Sequence, residues 1–244
     1  MNKWYSTQGN NSDVVLSSKI RLARNLDKVP FPCKMSSEIR KSICRKIFAA
    51  LQNSPLGGEF DLIELNSLSD MEKIALVEKG CISAQMAKQP QYSAVLISKD
   101  ESCSIMLCEE DHIRLSVMTA GEDLQKAYKK ADEIDNVLIK NMKLAFDERI
   151  GFLTSNPMHL GTGMKASFAL RLPAISERNM ISDLSAMVAK LGFSIKPMYS
   201  GHGDFYELSN EISLGITEQS AIDNLTAICE HIVSQERKLR TQAD

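Results

Sequence analysis

A chain of 244 residues, 43% apolar and 25% charged with a formal net charge of −2, can bury a sizeable core in one large domain or two small ones. Those fractions exclude disorder as a description of the whole, and basic and acidic residues mix along the chain, so no global field favours nucleic acid or a membrane surface. No run reaches the roughly 18 apolar residues of a membrane span, and the start, Met1-Asn2-Lys3-Trp4-Tyr5, is too polar for a secretory signal.

Residues 1–12 read as a polar arm, ahead of a single domain over residues 13–244. Residues 14–22 predict a strand on which Lys19 and Arg21 point one way and Ile20 and Leu22 the other. Pro30 and Pro32 break it. Ser36 and Ser37 can cap a helix whose apolar stripe is Ile39, Ile43, Ile47 and Leu51. Pro55-Leu56-Gly57-Gly58 ends that unit, and a shorter helix follows over residues 69–79. Strands are expected at 94–97, 103–107 and 113–118. Residues 122–146 carry Leu124, Ala127, Tyr128, Ala131, Ile134 and Leu138 at helical spacing. A Gly/Pro/Thr-rich segment, 151–163, leads into an alternating strand over 165–172. Residues 182–191 predict a helix stopped by Gly192, followed by strands near 193–196, 205–208 and 212–214. Residues 218–239 close the chain as a helix with Ile222, Leu225, Cys229 and Ile232 inward. Strands cluster in pairs between helices, which predicts an α+β fold with a mainly antiparallel sheet flanked by helices.

The six cysteines, at 33, 44, 81, 103, 108 and 229, form no C-x-x-C pair and read as reduced thiols in a cytosol. The histidines at 112, 159, 202 and 231 lack the i, i+4 spacing of a helical zinc pair. The chemistry concentrates in Cys108-Glu109-Glu110-Asp111-His112-Ile113-Arg114, where three consecutive carboxylates open a strand whose polar face begins with Arg114. Packed like charges need cations or ligands to balance them. By itself the segment also fits a charged hairpin turn on a solvated edge. The other strands carry cations on their polar faces: Lys19 with Arg21, Lys165 with Arg171, and Lys196. Singly, such residues are usually solvated. Gathered around one acidic turn, they can hold a polyphosphate while carboxylates tend its Mg²⁺ or orient a cationic nucleophile. Phosphoryl transfer needs mainly positioning and charge neutralisation, so this inventory suffices for it. Neither a G-x-x-x-x-G-K-[ST] run nor a kinase Gly-rich loop occurs.

Three segments carry a specific resemblance: Ser17-Ser18-Lys19-Ile20-Arg21-Leu22-Ala23-Arg24-Asn25, the acidic heptapeptide, and Leu153-Thr154-Ser155-Asn156-Pro157-Met158-His159-Leu160-Gly161-Thr162-Gly163-Met164-Lys165-Ala166-Ser167. In order and spacing they are similar to the signatures of the phosphagen (ATP:guanidino) kinases, and most similar to the bacterial protein-arginine kinases of that family. The resemblance implies an antiparallel catalytic sheet with MgATP lying across it. It implies that Lys19, Arg21, Arg114, Lys165 and Lys196 clamp the phosphates of ATP or ADP. Glu110 would align the guanidinium, and Glu109 and Asp111 would tend the hydrogen bonds and the Mg²⁺ shell, with no direct protein ligand to the metal. The substrate implied is an arginine-containing protein or a free guanidine. Stress-response regulators or Clp-type proteases are the implied partners and a bacterial cytoplasm the implied location. Relative to the wider family, the chain corresponds to the catalytic domain with little else.

The segment also departs from the family pattern. Lys19, Lys165 and Lys196 stand where arginines are expected, keeping charge but not the bidentate fork. Asn156 replaces a cysteine beside the guanidinium, Cys108 replaces an asparagine, and His159 another. The loop that carries a second guanidinium-facing glutamate is here Tyr199-Ser200-Gly201-His202-Gly203-Asp204, without a glutamate; Asp204 is the nearby substitute. Two function classes therefore stand side by side at this point: an active guanidino kinase with a simplified site, and an impaired pseudokinase that binds nucleotide or partner proteins and regulates.

Overall fold

The computed structural model describes residues 3–89, 91–199 and 203–242. Ten strands and seven helices follow in chain order as β1 (Val15–Arg24), α1 (Ser37–Gln52), β2 (Phe60–Glu64), α2 (Asp70–Glu78), α3 (Ala84–Ala87), β3 (Ala94–Ser98), β4 (Cys103–Leu107), β5 (Ile113–Ala120), α4 (Leu124–Asn141), β6 (Phe146–Asp147), β7 (Gly151–Phe152), β8 (Met164–Arg171), α5 (Pro173–Glu177), α6 (Ile181–Lys190), β9 (Phe193–Pro197), β10 (Phe205–Asn210) and α7 (Glu218–Arg240). Eight strands form one sheet in the order β2-β3-β4-β5-β1-β8-β10-β9, and every neighbouring pair is antiparallel. The α+β expectation holds.

Directly opposed residues of an antiparallel pair share a face, and alternate residues of a strand face opposite ways. Ile20 opposes Val117 and Ala166, and Leu22 opposes Leu115 and Met164. All six are buried on the face where α1, α4 and α7 contribute Ile47, Leu51, Ala127, Ile134, Leu225 and Ile232 to one apolar core. The opposite face is covered at one end only. There Val95, Ile97 and Met106 pack against Leu65, Cys81, Ile82 and Met86 from the segment holding α2 and α3. Over β1, β8, β10 and β9 that face carries the polar residues described below.

Local chemistry explains where the helices begin. Ser36 accepts from the Ile39 N–H, Ser69 and Glu72 form a reciprocal capping box, and Thr217 accepts from the Ser220 N–H, each pairing a donor that the first turn leaves unsatisfied. The α6 helix ends at Gly192, whose φ of +83° suits a residue without Cβ.

Several expectations are corrected. Ile39 is exposed, and Arg40 takes the buried place beside it, where carbonyls absorb its guanidinium. The α4 helix ends at Asn141, because residues 146–147 pair with 151–152 as a small hairpin. No strand forms at 212–214; Ser213 instead binds the Met158 and Leu160 carbonyls with its hydroxyl. Strand β2, Phe60–Glu64, forms where the sequence carries no simple alternating signal. The acidic segment is no solvated edge turn, because β4 and β5 lie inside the sheet and Asp111 and His112 are fully buried.

Residues 4–6 are docked against β5. The Trp4 N–H donates to the Asp100 carbonyl, and Lys3 pairs with Glu101 at 2.8 Å. Among the described residues no helix is long and apolar enough to cross a membrane.

Candidate active site

Strand register gathers the predicted cations. Arg21 opposes Ser116 on β5 and Lys165 on β8, Lys19 opposes Met118 and Ser167, and Ala23 opposes Arg114. Glu207 opposes both Ala169 and Lys196. Since opposed residues share a face, Lys19, Arg21, Arg114, Lys165 and Lys196 all project from the partly uncovered face of the sheet. The sequence places these five residues 177 positions apart end to end, and antiparallel pairing alone brings them together.

The acidic turn closes the upper end of this face. Cys108 holds a φ of +57° and its N–H donates to the His112 carbonyl at 3.0 Å, making the tight turn between β4 and β5. Asparagine populates that backbone region more readily than cysteine does. Here the cost is met by Arg40 and Gln89, whose side chains donate to the Cys108 carbonyl at 2.8 and 3.2 Å. The Arg114 guanidinium spans two carboxylates, with Nη1 2.6 Å from Glu109 Oε2 and Nη2 2.6 Å from Glu110 Oε2. Glu109 is the buried member and also accepts from the Ser83 hydroxyl at 2.5 Å. The Glu110 side chain keeps 33% of its surface, against 2% for Glu109, so Glu110 is the carboxylate open to a ligand.

Asp111 and His112 fix the turn from behind. Asp111 Oδ1 accepts from Asn25 Nδ2 at 2.7 Å and from the Ser155 N–H at 2.8 Å, while its Oδ2 is buried without a partner among the described residues. His112 Nδ1 accepts from the Leu26 N–H at 2.9 Å, so the ring proton sits on Nε2 and is donated to the Pro30 carbonyl, also at 2.9 Å. Burial pushes the His112 pKa down and keeps that ring neutral. The Ser155 hydroxyl donates to the Glu110 carbonyl at 2.8 Å, clamping residues 154–160 to the acidic turn. In that segment Asn156 turns its Oδ1 inward to accept from the Met158 N–H, leaving its Nδ2 without a partner among the described residues. Gly161, at φ +98°, passes so close to Ser213 that a Cβ would lie 2.3 Å from its carbonyl oxygen.

The face is electrostatically unfinished. Lys165 pairs with Glu207 at 3.2 Å and Lys196 with Glu211 at 2.9 Å. Lys19 and Arg21 have no hydrogen-bonded or ion-paired partner among the described residues. Burial lowers the pKa of both, and repulsion adds to it: from Arg21 on Lys19, and from Arg114 on Arg21. His159 lies against the same field, its pKa lowered by burial and then by Arg21 and Arg114. Half-buried cations that repel one another and lack a direct ion pair fit a polyanionic ligand with several phosphates. Among the described residues no group of three or more His, Cys, Asp or Glu is placed to hold a metal ion.

Asp204 is not brought to this site. Its carbonyl accepts from the Leu172 N–H, and the next residue, Phe205, opposes Arg171, six residues along β8 from Lys165. At about 3.3 Å per residue that is roughly 20 Å along the strand. Ser200, Gly201 and His202 of the same loop lie outside the described residues. Reading the sequence missed Ser83, Arg40 and Glu211, all supplied by segments distant in sequence from the acidic turn. Asn25 is part of the first motif, and its position just beyond β1 was the available signal.

The comparisons agree with this geometry. Residues 42–239 match the family model for the ATP:guanido phosphotransferase C-terminal catalytic domain. A protein-arginine kinase from Geobacillus stearothermophilus is 39% identical over 243 residues, covering 97% of this chain and 67% of the relative. One from Clostridium tetani is 35% identical over 244 residues, covering 98% and 71%. A duplicated taurocyamine kinase from Schistosoma mansoni superposes with a TM-score of 0.81 at 25% identity, over 96% of this chain and 35% of its own length. A lombricine kinase matches the fold with a TM-score of 0.82 at 20% identity, over 96% of this chain and 69% of its own. With its sheet, acidic turn and cation face in place, the chain belongs to the ATP:guanido phosphotransferase family.

Proposed function

We propose that this protein is an ATP-dependent phosphotransferase that phosphorylates the guanidinium of arginine in proteins. The observation that carries the reading is the pair of half-buried cations, Lys19 and Arg21, without an ion-paired partner among the described residues and on one face with Arg114, which pairs with Glu110. The family supplies ATP as the phosphoryl donor. Arg21, Lys19 and Lys165 bind its phosphates, and Arg114, already fixed by Glu109 and Glu110, faces the transferred group. Neutralising the charge that develops on equatorial and leaving oxygens is the main demand of such a transfer. Mg²⁺, carried in on the phosphates, adds to that neutralisation. Of the three carboxylates in the acidic turn, Glu109 and Asp111 are buried and Glu110 alone keeps surface open to waters of its shell.

Glu110 orients the nucleophile. A guanidinium is protonated at neutral pH and its lone pairs are delocalised, so an adjacent carboxylate must hold one nitrogen in line and take its proton as the N–P bond forms and the P–O bond to the leaving ADP breaks. Several relatives are named as protein-arginine kinases, which supports protein arginine over a small guanidine. No observation favours the nucleotide-binding pseudokinase over this reading. Bacterial relatives support a bacterial cytoplasm, and residues 13–244 are taken as one catalytic unit. Partnership with Clp-type proteases or stress regulators rests on family resemblance alone. The test is incubation with MgATP and an arginine-rich protein: phosphate should appear on arginine and be lost in acid. Label on serine or threonine, or none, overturns the proposal.

A further inference from the structure

The site as described leaves the incoming guanidinium short of negative charge. It must enter a face holding Lys19, Arg21, Arg114 and Lys165, while one oxygen of Glu110 and one of Glu109 are already taken by Arg114. A planar cation held by a single carboxylate edge also remains free to pivot. Misplacement by about 1 Å can cost on the order of 10²-fold in rate. A second carboxylate is needed, and Asp204 stands at the far end of the sheet.

Glu211 meets the geometric requirements. It directly follows β10, and its N–H continues the ladder by donating to the Gly192 carbonyl at 3.0 Å. Counting back from the Ser209–Ser167 pair brings it level with Lys165 and Arg21. Its Oε1 accepts from the Ser194 hydroxyl and from Lys196 Nζ, which fixes the side chain on the cation face. Its Oε2 has no partner among the described residues, and the side chain keeps 37% of its surface. Burial pushes its pKa up, but the Ser194 and Lys196 hydrogen bonds and the Lys196 and Lys165 charges outweigh this and hold it below the ordinary value.

Segment 154–160 links Glu211 to Glu110. At one end Ser155 binds the Glu110 carbonyl and Asp111. At the other, Ser213 binds the Met158 and Leu160 carbonyls, and Thr162 donates to the Ser213 carbonyl at 3.0 Å. Glu110 and Glu211 therefore flank the turn that carries Asn156 and His159. A small cavity of about 40 Å³ lies on the Glu211 side, lined by His159, Lys165 and Glu211 among others.

Resting on the arginine-kinase reading above, we infer that Glu211 supplies the second carboxylate of the site, gripping the guanidinium through its free Oε2 opposite Glu110. No loop glutamate is then required. Lys196, which a phosphate clamp would otherwise claim, serves to hold Glu211 in place.

The experiment compares the full chain with Glu211→Gln, Glu211→Asp and Asp204→Asn in two assays. In the first, Nα-acetyl-arginine amide is added to protein already saturated with MgADP, and the additional rise in melting temperature is read. Wild type should show a rise, Glu211→Gln should lose it while keeping the MgADP rise, and Glu211→Asp should retain part of it. In the second, Glu211→Gln should lower arginine phosphorylation on the order of 10²-fold. An equal guanidine-dependent rise in wild type and Glu211→Gln, no rise in wild type, or a loss carried by Asp204→Asn instead would each overturn the inference. A guanidine-dependent rise without any transfer in wild type would overturn the kinase reading and leave the Glu211 assignment standing.

Discussion

Replacing Arg21 with methionine should weaken nucleotide binding without destabilising the free protein. In the ligand-free structure Arg21 makes no hydrogen bond or ion pair among the described residues, and burial and Arg114 both disfavour its charge. Methionine keeps most of the stem and removes that charge, so the ligand-free melting temperature should hold or rise. With ligand the sign reverses, because a charge-assisted contact to phosphate is worth about 1.5–3 kcal/mol, and a loss of 2.7 kcal/mol is about a hundredfold in Kd. At MgADP near 100 times the wild-type Kd, linkage adds about 2.7 kcal/mol to wild type but only about 0.4 kcal/mol to the variant. For a chain of this size about 2–4 °C corresponds to each kcal/mol, so the rise should shrink from about 5–11 °C to about 1–2 °C. Differential scanning fluorimetry with and without MgADP reads both quantities. A ligand-free melting temperature lowered by several degrees, or an undiminished MgADP rise, would refute the view of Arg21 as an unpaired cation awaiting phosphate.

Glu110→Gln should retain the MgADP rise while lowering turnover by about 10²–10⁴, the range for a positioned acid–base group; equal turnover per folded protein would show that Glu110 only balances Arg114. Asp135→Ala should cost about 3–5 kcal/mol in chemical denaturation, since it strands a buried charge. That charge is Arg24, which donates to Asp135 at 2.8 to 3.1 Å beneath the Phe152 ring. Arg24→Met combined with Asp135→Leu should recover most of that loss. His159 should take up a proton when nucleotide binds. Burial, Arg21, Arg114 and Lys165 hold its free pKa below 6.5 against the opposing pull of Asp111, and a polyanion offsets those cations. Affinity should therefore rise as pH falls through the window between the free and bound pKa values. Calorimetry in buffers of different ionisation enthalpy should detect the uptake, and His159→Gln should abolish it.

Much of this site was legible in the chain because short motifs encode it. The alternation in residues 14–22 and 113–118 assigned Lys19, Arg21 and Arg114 to polar strand faces, and register confirmed that the faces coincide. The start of α1 was legible through Ser36, whose side chain acts within one turn, and the structure adds Ser69 and Thr217 as caps of the same kind. What escaped reading depends on partners far along the chain. Ser83 reaches Glu109 across 26 positions, and Arg40 reaches the Cys108 carbonyl across 68. Residues 212–214 have strand-like composition, yet the close passage of Gly161 and the demand of two carbonyls for the Ser213 hydroxyl hold them as a loop. Asp204 looked close in sequence to the missing glutamate, but hairpin pairing sends it to the opposite end of β8 from the acidic turn.

The most direct test of the central claim is intact mass spectrometry of an arginine-rich acceptor protein after incubation with the enzyme and MgATP, kept at neutral or alkaline pH throughout. One or more added phosphoryl masses should appear, disappear on brief acid treatment, and be absent when the enzyme carries Glu110→Gln. An unchanged acceptor mass, or added mass that survives acid, would contradict it.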